Sequence, residues 1–300
     1  MNVSLEQWKA LIYVVDSGGY EKAAEAMDKS QSSVTYAVQK LESQLGVKAF
    51  EVKGRKAVLT PTGQFLYRRA RALVEEADAT ERAAKKLSAG WEAEIGIAVE
   101  GAFPSWLMLQ CLARFGAESP HTRIEAIESV LGGTTEALLT GQAQIAVTGR
   151  VPQGFAGDFL MPVRFVPAAH PDHALHKLGR APTMQDLRAH RQLVVRESGT
   201  RRDTKTRLEA AQRWTVSHMS TSIQAASRGY GFGWYPEYRI RDEIAAGTLK
   251  PLPLREGGES LAQFYLVFAD RDAAGPGTLR LAAIIREEAE AACVEERKRS

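Results

Sequence analysis

Apolar residues recur at helical spacing through the first third of the chain. Leu5, Trp8, Leu11, Ile12 and Val15 form one stripe, and Ser4 followed by Gln7 reads as a capping box at its start. Gly18 and Gly19 end that stretch. Tyr20, Ala23, Ala24 and Met27 outline a short second helix whose alanines allow a close crossing. Behind Ser30 as N-cap, Val34, Val38, Leu41 and Leu45 give a third helix one apolar face, and Gly46 stops it. Two short helices joined by a tight turn, the second with a polar outer face, predict a helix-turn-helix. Residues 47–60 alternate loosely around Gly54, which predicts a two-stranded hairpin, a wing with Lys53, Arg55 and Lys56 at its tip.

Thr60-Pro61-Thr62-Gly63 opens a long helix reaching to about Ser88. Along it Leu66, Ala70, Leu73, Ala77, Thr80, Ala84 and Leu87 fall at alternating steps of four and three. A heptad seam with Glu, Arg and Lys around it predicts a dimerising coiled coil. A helix lying on its own domain would show a wider apolar stripe.

From Ile95 the pattern changes to strands alternating with helices, which predicts parallel βαβ units. IGIAV, RIEAI and QIAVT are the first strands, with helices from Pro104 and around TTEALL. After Val163 the alternation resumes with VRFVPAAH, QLVVR, WTVS and FGWY, including a helix from Thr200. FYLVF at 264–268 and a helix from Thr278 to Glu296 close the chain. Two similar α/β halves, with the last helix returning to the first, suggest two lobes around a cleft.

Composition changes this picture little; distribution changes it more. The 300 residues are 44% hydrophobic and 25% charged, ordinary for a globular protein of two or three domains. No apolar run approaches the length of a membrane span, and the start of the chain is polar, so a cytoplasmic protein is expected. Two cysteines, Cys111 and Cys293, are too few for a disulfide framework or a thiolate metal site. The net charge of +3 says nothing about partners. Between Gln31 and Arg71, however, eight cations face only Glu42 and Glu51, a local excess suited to phosphates.

The third helix sharpens that reading. Its outer face carries Gln31, Ser32, Ser33, Thr35, Tyr36 and Lys40, where a merely solvated helix would carry Glu and Lys. Hydrogen-bonding groups at a helix N-terminus suit base edges and phosphate in a major groove. The wing cations Lys53, Arg55 and Lys56 suit the backbone beside or within the minor groove.

These residues resemble the LysR-type transcriptional regulators over essentially the whole chain. The match is tightest in YEKAAEAM, SQSSVTYAVQKLESQLG and VLTPTG, and looser in VRESGTR, GYGFGWYP and PLPL. The resemblance implies an α/β protein with an N-terminal winged helix-turn-helix (1–62), a linker helix (63–90) and a two-lobed periplasmic-binding-protein-like α/β effector domain (91–300). Lobe I would comprise 91–162 and 268–300, and lobe II 163–267. It implies a homodimer or homotetramer on double-stranded promoter DNA, modulated by a small-molecule effector, with RNA polymerase as a further candidate partner and no cofactor or metal. Ser32, Ser33, Tyr36 and Val52 depart from the family's usual residues, which bears on the operator read and not on the fold.

By the same correspondence the effector cleft comprises Glu100, Gly101, Ala102 and Phe103, then Gly133, Thr134 and Thr148. The second lobe would add Ser198, Thr200 and Arg201, then Ser220 and Thr221. Arg201 and helix N-termini suit an anion, whereas Glu100, where many relatives offer a hydroxyl, would repel one and prefer an amine or an N–H-bearing ring.

An enzyme or a solute-binding protein using the same cleft is the rival reading. HPDHALH offers His170, His173 and His176, but Pro171 breaks any helical pairing of metal ligands. GYGFG precedes a strand where a dinucleotide loop would follow one. No nucleophile elbow or phosphate loop is present, so no catalytic residue is assigned. A solute-binding protein would need an export signal, and residues 1–30 have no apolar core segment for one.

Overall fold

Capping chemistry sets the limits of the N-terminal helices in the computed structural model, which describes residues 2–53, 56–199 and 208–299, with backbone alone at 52–53, 56, 83, 86–87 and 296–299. Helix α1 (Leu5–Asp16) begins at the capping box, where Ser4 N–H donates to Gln7 Oε1 at 2.7 Å and Ser4 Oγ accepts from Gln7 N–H. Helix α2 (Tyr20–Ala26) follows the Gly18–Gly19 turn. Ser30 Oγ accepts from Ser33 N–H at 3.2 Å to start α3 (Gln31–Leu45), and Gly46 ends it in the left-handed conformation, φ 65°. Strands β1 (Phe50–Lys53) and β2 (Lys56–Leu59) pair antiparallel, and α4 (Pro61–Ser88) opens with Gly63 N–H on Thr60 Oγ1.

Met1–Ala89 and Gly90–Ser300 are two compact units. In the first, Ala10, Val14, Ala23, Ala24, Val34 and Val38 form one buried cluster where α1, α2 and α3 cross. The small Ala23 and Ala24 permit that close approach, as their spacing suggests. A second cluster joins Leu11 and Leu41 to Ala49 and to Ala70 of α4.

The second unit contains β3 (Glu94–Glu100), α5 (Ser105–Glu118), β4 (Arg123–Ser129), α6 (Gly132–Leu139), β5 (Ile145–Thr148) and β6 (Gly157–Ala169). It continues through α7 (Met184–Arg188), β7 (Arg191–Val195), β8 (Gln212–Val216), α8 (Met219–Ser227) and β9 (Phe232–Pro236). Helix α9 (Arg241–Ala245), β10 (Lys250–Pro251), β11 (Ser260–Phe268) and α10 (Pro276–Arg299) complete it. The helix expected from Thr200 falls on 200–207, outside the described residues.

Pairing runs in the order β4-β3-β5-β11-β6-β9-β7-β8, with β10 on β6. Strands β3, β4 and β5 are mutually parallel, as are β7, β8 and β9. The expectation of parallel units fails at β6 and β11, which run antiparallel to each other and to their neighbours. These strands begin earlier than their apolar runs indicated and are shared by both lobes. The expected divisions at 162/163 and 267/268 therefore fall within continuous strands. A register shift between Phe264 and Tyr265 marks the crossing.

Each lobe has its own core. Ile97, Phe115, Ile145 and Leu266 pack with Leu281, Ile284 and Ile285 of α10, which lies along α5. Val166, Leu193, Ile223 and Tyr235 form the second core. Cys111 is fully buried in the first, and burial pushes its thiol up to about 12, a poor nucleophile at neutral pH. No helix among the described residues is long and apolar enough to cross a membrane.

Candidate functional site

Helix α3 separates its faces sharply. Val34, Val38 and Leu41 are buried, whereas Gln31, Ser32, Ser33, Tyr36 and Lys40 are exposed. Tyr36 is 63% exposed, with Lys40 Nζ 5.8 Å from its ring centroid, so an aromatic ring and a cation sit together on the surface. Thr35 differs from the expectation: it is half-buried, and its hydroxyl donates to Gln31 O at 2.8 Å. That proton is spent on the helix's own backbone. Of the wing cations, Arg55 and the side chains of Lys53 and Lys56 lie outside the described residues.

Glu42, counted in the sequence only as a charge among the cations, is buried at the base of this helix. Its Oε1 accepts from Ala49 N–H at 2.8 Å and Phe50 N–H at 3.1 Å, and Oε2 from Lys48 Nζ at 2.9 Å. Burial pushes its carboxyl up, but these donors together outweigh burial and hold it below the ordinary value of 4.5. Glu42 thereby fastens α3 to the first strand of the wing.

The predicted seam on α4 divides. Ala70 is buried and Leu66 partly buried against α1 within their own unit, while Leu73, Thr80 and Ala84 are exposed and Ala77 is intermediate. A heptad row drifts by about 20° per repeat around a straight helix, so one row starts against α1 and ends on the open face. The Leu87 side chain lies outside the described residues.

Between the two lobes of the second unit is a cavity of about 690 Å³. Of the expected residues, Glu100, Gly101, Ala102 and Ser198 line it. Thr148 touches it through Glu100, donating to its Oε2 at 3.2 Å, where Gly149 N–H also donates at 2.8 Å. Phe103 is instead buried beside Phe264 in the core. Thr134 is buried with its hydroxyl on that of Ser129, 2.7 Å away. Gly133 packs on Ser198, and Ser220 and Thr221 are exposed away from the lining, which at that helix start is Ser217, His218, Met219 and Ser222. Thr200 and Arg201 lie outside the described residues.

The sequence reading missed Glu128, Gln192, Phe165, Trp234 and Tyr235, all of which line the cavity. Alternation along QLVVR could have singled out Gln192, a polar residue in a buried strand position. Trp234 and Tyr235 lay in view in GYGFGWYP, but their spacing does not tell which face of β9 points to the cleft.

Glu100 is 8% exposed, and burial, with a smaller push from Glu197, holds its carboxyl above the ordinary value despite Gly149 and Thr148. A raised folded-state value favours the native state most at low pH, and the benefit is lost as pH rises through it. Glu100→Gln is therefore expected to raise the melting temperature around pH 8 and leave it nearly unchanged at ~pH 4, read by calorimetric melts. Equal shifts at both pH values would show that the carboxyl carries no such penalty.

Two loops join across the cavity mouth. Val130 N–H donates to Ser198 Oγ at 2.9 Å, and Ser198 N–H donates to Val130 O at 3.2 Å. Leu131, next along, takes φ 49° although it is not glycine, a strained conformation held beside that pinned residue. Gly133 and Gly199 let the loops meet: a Cβ on Gly133 would lie 1.9 Å from Ser198 Oγ, and one on Gly199 2.8 Å from the Gly132 carbonyl carbon.

The histidine segment has a different role. His173 Nδ1 accepts from Leu175 N–H, and its ring lies 5.1 Å from that of His190. Burial and neighbouring histidines hold it down to about 4, so it is neutral at physiological pH. Among the described residues no group of three His, Cys, Asp or Glu side chains could hold a metal.

Comparison with known proteins gives these features a context. The profile described as the LysR substrate binding domain matches residues 88–290, and the bacterial regulatory helix-turn-helix protein, lysR family, matches residues 5–64. The Escherichia coli (strain K12) probable HTH-type transcriptional regulator YhaJ is 26% identical over 275 residues, covering 90% of this chain and 91% of its own. The regulator YeeY of the same organism is 28% identical over 238 residues, 77% of each chain. In fold the chain is similar to CrgA, a LysR-type transcriptional regulator from Neisseria meningitidis, with a TM-score of 0.52 at 23% identity, covering 95% of this chain and 98% of that one.

Proposed function

The chain belongs to the LysR family of bacterial transcriptional regulators, and from that premise we propose that α3 reads its operator through Gln31, Ser32, Ser33, Tyr36 and Lys40. It is a DNA-binding regulator with an effector-binding domain, not an enzyme. Lys53, Arg55 and Lys56 of the wing hold phosphates, and the open stretch of α4 from Leu73 to Ala84 pairs with a second copy. A small molecule in the inter-lobe cavity changes the promoter contacts.

One observation carries the reading: the exposed face of α3 joins amides, hydroxyls, an aromatic ring and a cation, while the only carboxylate in the helix is buried. Such a face suits the major groove, where amides and hydroxyls meet base edges and a lysine meets phosphate.

The test is a footprint on the DNA flanking the regulator's own gene, with affinity measured from about 50 to 200 mM salt. Lys40→Ala is expected to shallow the salt slope by about one unit on any sequence. Tyr36→Ala is expected to weaken the footprinted site about tenfold while leaving scrambled DNA nearly unaffected. If both variants match the parent on both DNAs, the reading face is elsewhere.

A further inference from the structure

The hydrogen-bonding groups of the inter-lobe cavity are lopsided. Its aromatic donors are already used. Trp234 Nε1–H donates to Gly258 O at 3.2 Å, and the Tyr235 hydroxyl to Ser222 O at 3.1 Å. The Ser198 hydroxyl is engaged with Val130. Among the buried groups of the described lining, two acceptors remain. Gln192 on β7 is 5% exposed, and its Oε1 is buried without a hydrogen-bond partner. At Glu100 both donors, Thr148 and Gly149, go to Oε2, and no donor among the described residues reaches Oε1.

A buried acceptor left without a donor forfeits the hydrogen bonds it made to water, so a molecule that brings donors to both groups recovers that loss. The rest of the wall sets the ligand's other features. Phe165 and Trp234 offer flat apolar surface, and Leu193 and Met219 add aliphatic wall. Glu128 adds a second carboxylate to the lining, with the Arg239 guanidinium 3.8 Å from it. Arg196 is the arginine of the described lining, which Arg239 itself does not join.

Resting on the regulator reading above, we propose that this cavity takes a small neutral or cationic molecule with a flat apolar body and at least two N–H donors, of the amidine, guanidine or amino-heteroarene class. One donor meets Glu100 and another meets Gln192 Oε1. A carboxylate in the same position would face Glu100 and an amide oxygen with nothing to offer either. Selectivity against anions follows from unpaired acceptors more than from shape, because a site built to receive a donor rejects an analogue that lacks it.

The test uses the full chain and two matched sets of probes at millimolar concentration: benzamidine and 2-aminobenzimidazole, against benzoate and 1-naphthoate. Titration calorimetry and thermal shift should register the amino probes and neither carboxylate. Glu100→Gln and Gln192→Leu should each weaken benzamidine by about tenfold. Gln192→Glu keeps the acceptor and removes the amide's own donor, so it should retain or tighten binding. Melting curves establish that each variant is folded.

Binding of benzoate as tight as benzamidine overturns the proposal, as does failure of both amino probes. It is also overturned if Gln192→Glu loses binding while Gln192→Leu keeps it, because the amide would then be acting as a donor. The same protein preparation is footprinted on DNA in parallel. A footprint without amino-probe binding removes only the ligand class, whereas loss of the footprint removes the regulator reading itself.

Discussion

Replacing Glu42 by Ala is expected to destabilise the N-terminal unit by about 3 kcal/mol and to abolish the DNA footprint, although Glu42 lies off the face proposed to read DNA. The substitution strips the acceptor from two N–H groups, those of Ala49 and Phe50, and from the Lys48 ammonium. The two backbone donors dominate: each costs roughly 1–3 kcal/mol when left buried and unpaired. Lys48 adds little, since its side chain is 78% exposed and simply returns to water. Glu42→Gln keeps an oxygen for the backbone donors and is expected to lose about 1 kcal/mol.

Hydrogen exchange across residues 42–60 of the full chain, with a denaturant melt, measures this. Faster exchange at Ala49 and Phe50 in Glu42→Ala, but not in Glu42→Gln, is the expected pattern. Because the donors hold the carboxyl below 4.5, its contribution is full above that value and disappears as pH falls through its lowered folded-state value. Unchanged exchange in Glu42→Ala would mean that the first strand of the wing is held by apolar packing alone.

Gly133→Val is expected to uncouple ligand from DNA while leaving α3 untouched. Its Cβ would enter the space of Ser198 Oγ, with Ser198 Cβ and Gly199 N within 3.2 Å. Ser198 must then leave Val130, which breaks both bonds across the cavity mouth. Overpacking of this kind costs about 1–3 kcal/mol, and a valine gives the loop no way back to its present path. Basal footprinting should persist, and any probe that changes the parent's footprint should change the variant's about tenfold less. Gly133→Ala in a Ser198→Gly background relieves the contact and keeps the backbone bond to Val130 O, but lacks the hydroxyl that accepts from Val130 N–H. It should respond like Gly133→Val if the hydroxyl bond matters, and like the parent if only bulk or the backbone bond matters.

What the sequence made legible follows from the range of each signal. Caps and periodicities act over a few residues, so Ser4, Ser30, Gly46 and the buried Val34, Val38 and Leu41 of α3 were readable from the chain alone, whereas Leu45, expected on the same face, is exposed at the last turn. Polar residues were read by type, and there the reading failed in both directions. Thr35 was assigned outward but spends its hydroxyl on its own helix, and Glu42 was counted only as a charge but is buried. In each case the deciding partner is a backbone group, which no residue letter reports. The α4 row split, with Leu66 and Ala70 packed in their own unit and Leu73, Thr80 and Ala84 exposed, because a repeat does not tell what it faces. Gln192 was missed since its significance rests on what its oxygen does not touch. Strands β6 and β11 were read short because Pro162 interrupts the apolar run of β6 after Phe159, Leu160 and Met161, and Gln263 interrupts that of β11 after Leu261 and Ala262.

The return of α10 to the first lobe has a consequence for how the chain is made. Phe115 and Cys111 wait for Leu281, Ile284 and Ile285, which leave the ribosome well over a hundred residues later. At ~5–20 residues per second that delay is on the order of 10 to 30 s. The N-terminal unit, complete by Ala89, can fold during synthesis, while the apolar side of α5 stays uncovered until α10 emerges. Premature release before α10 would therefore leave a folded helix-turn-helix joined to a sticky, unfinished sheet, and quality control of this regulator should act chiefly on nascent chains.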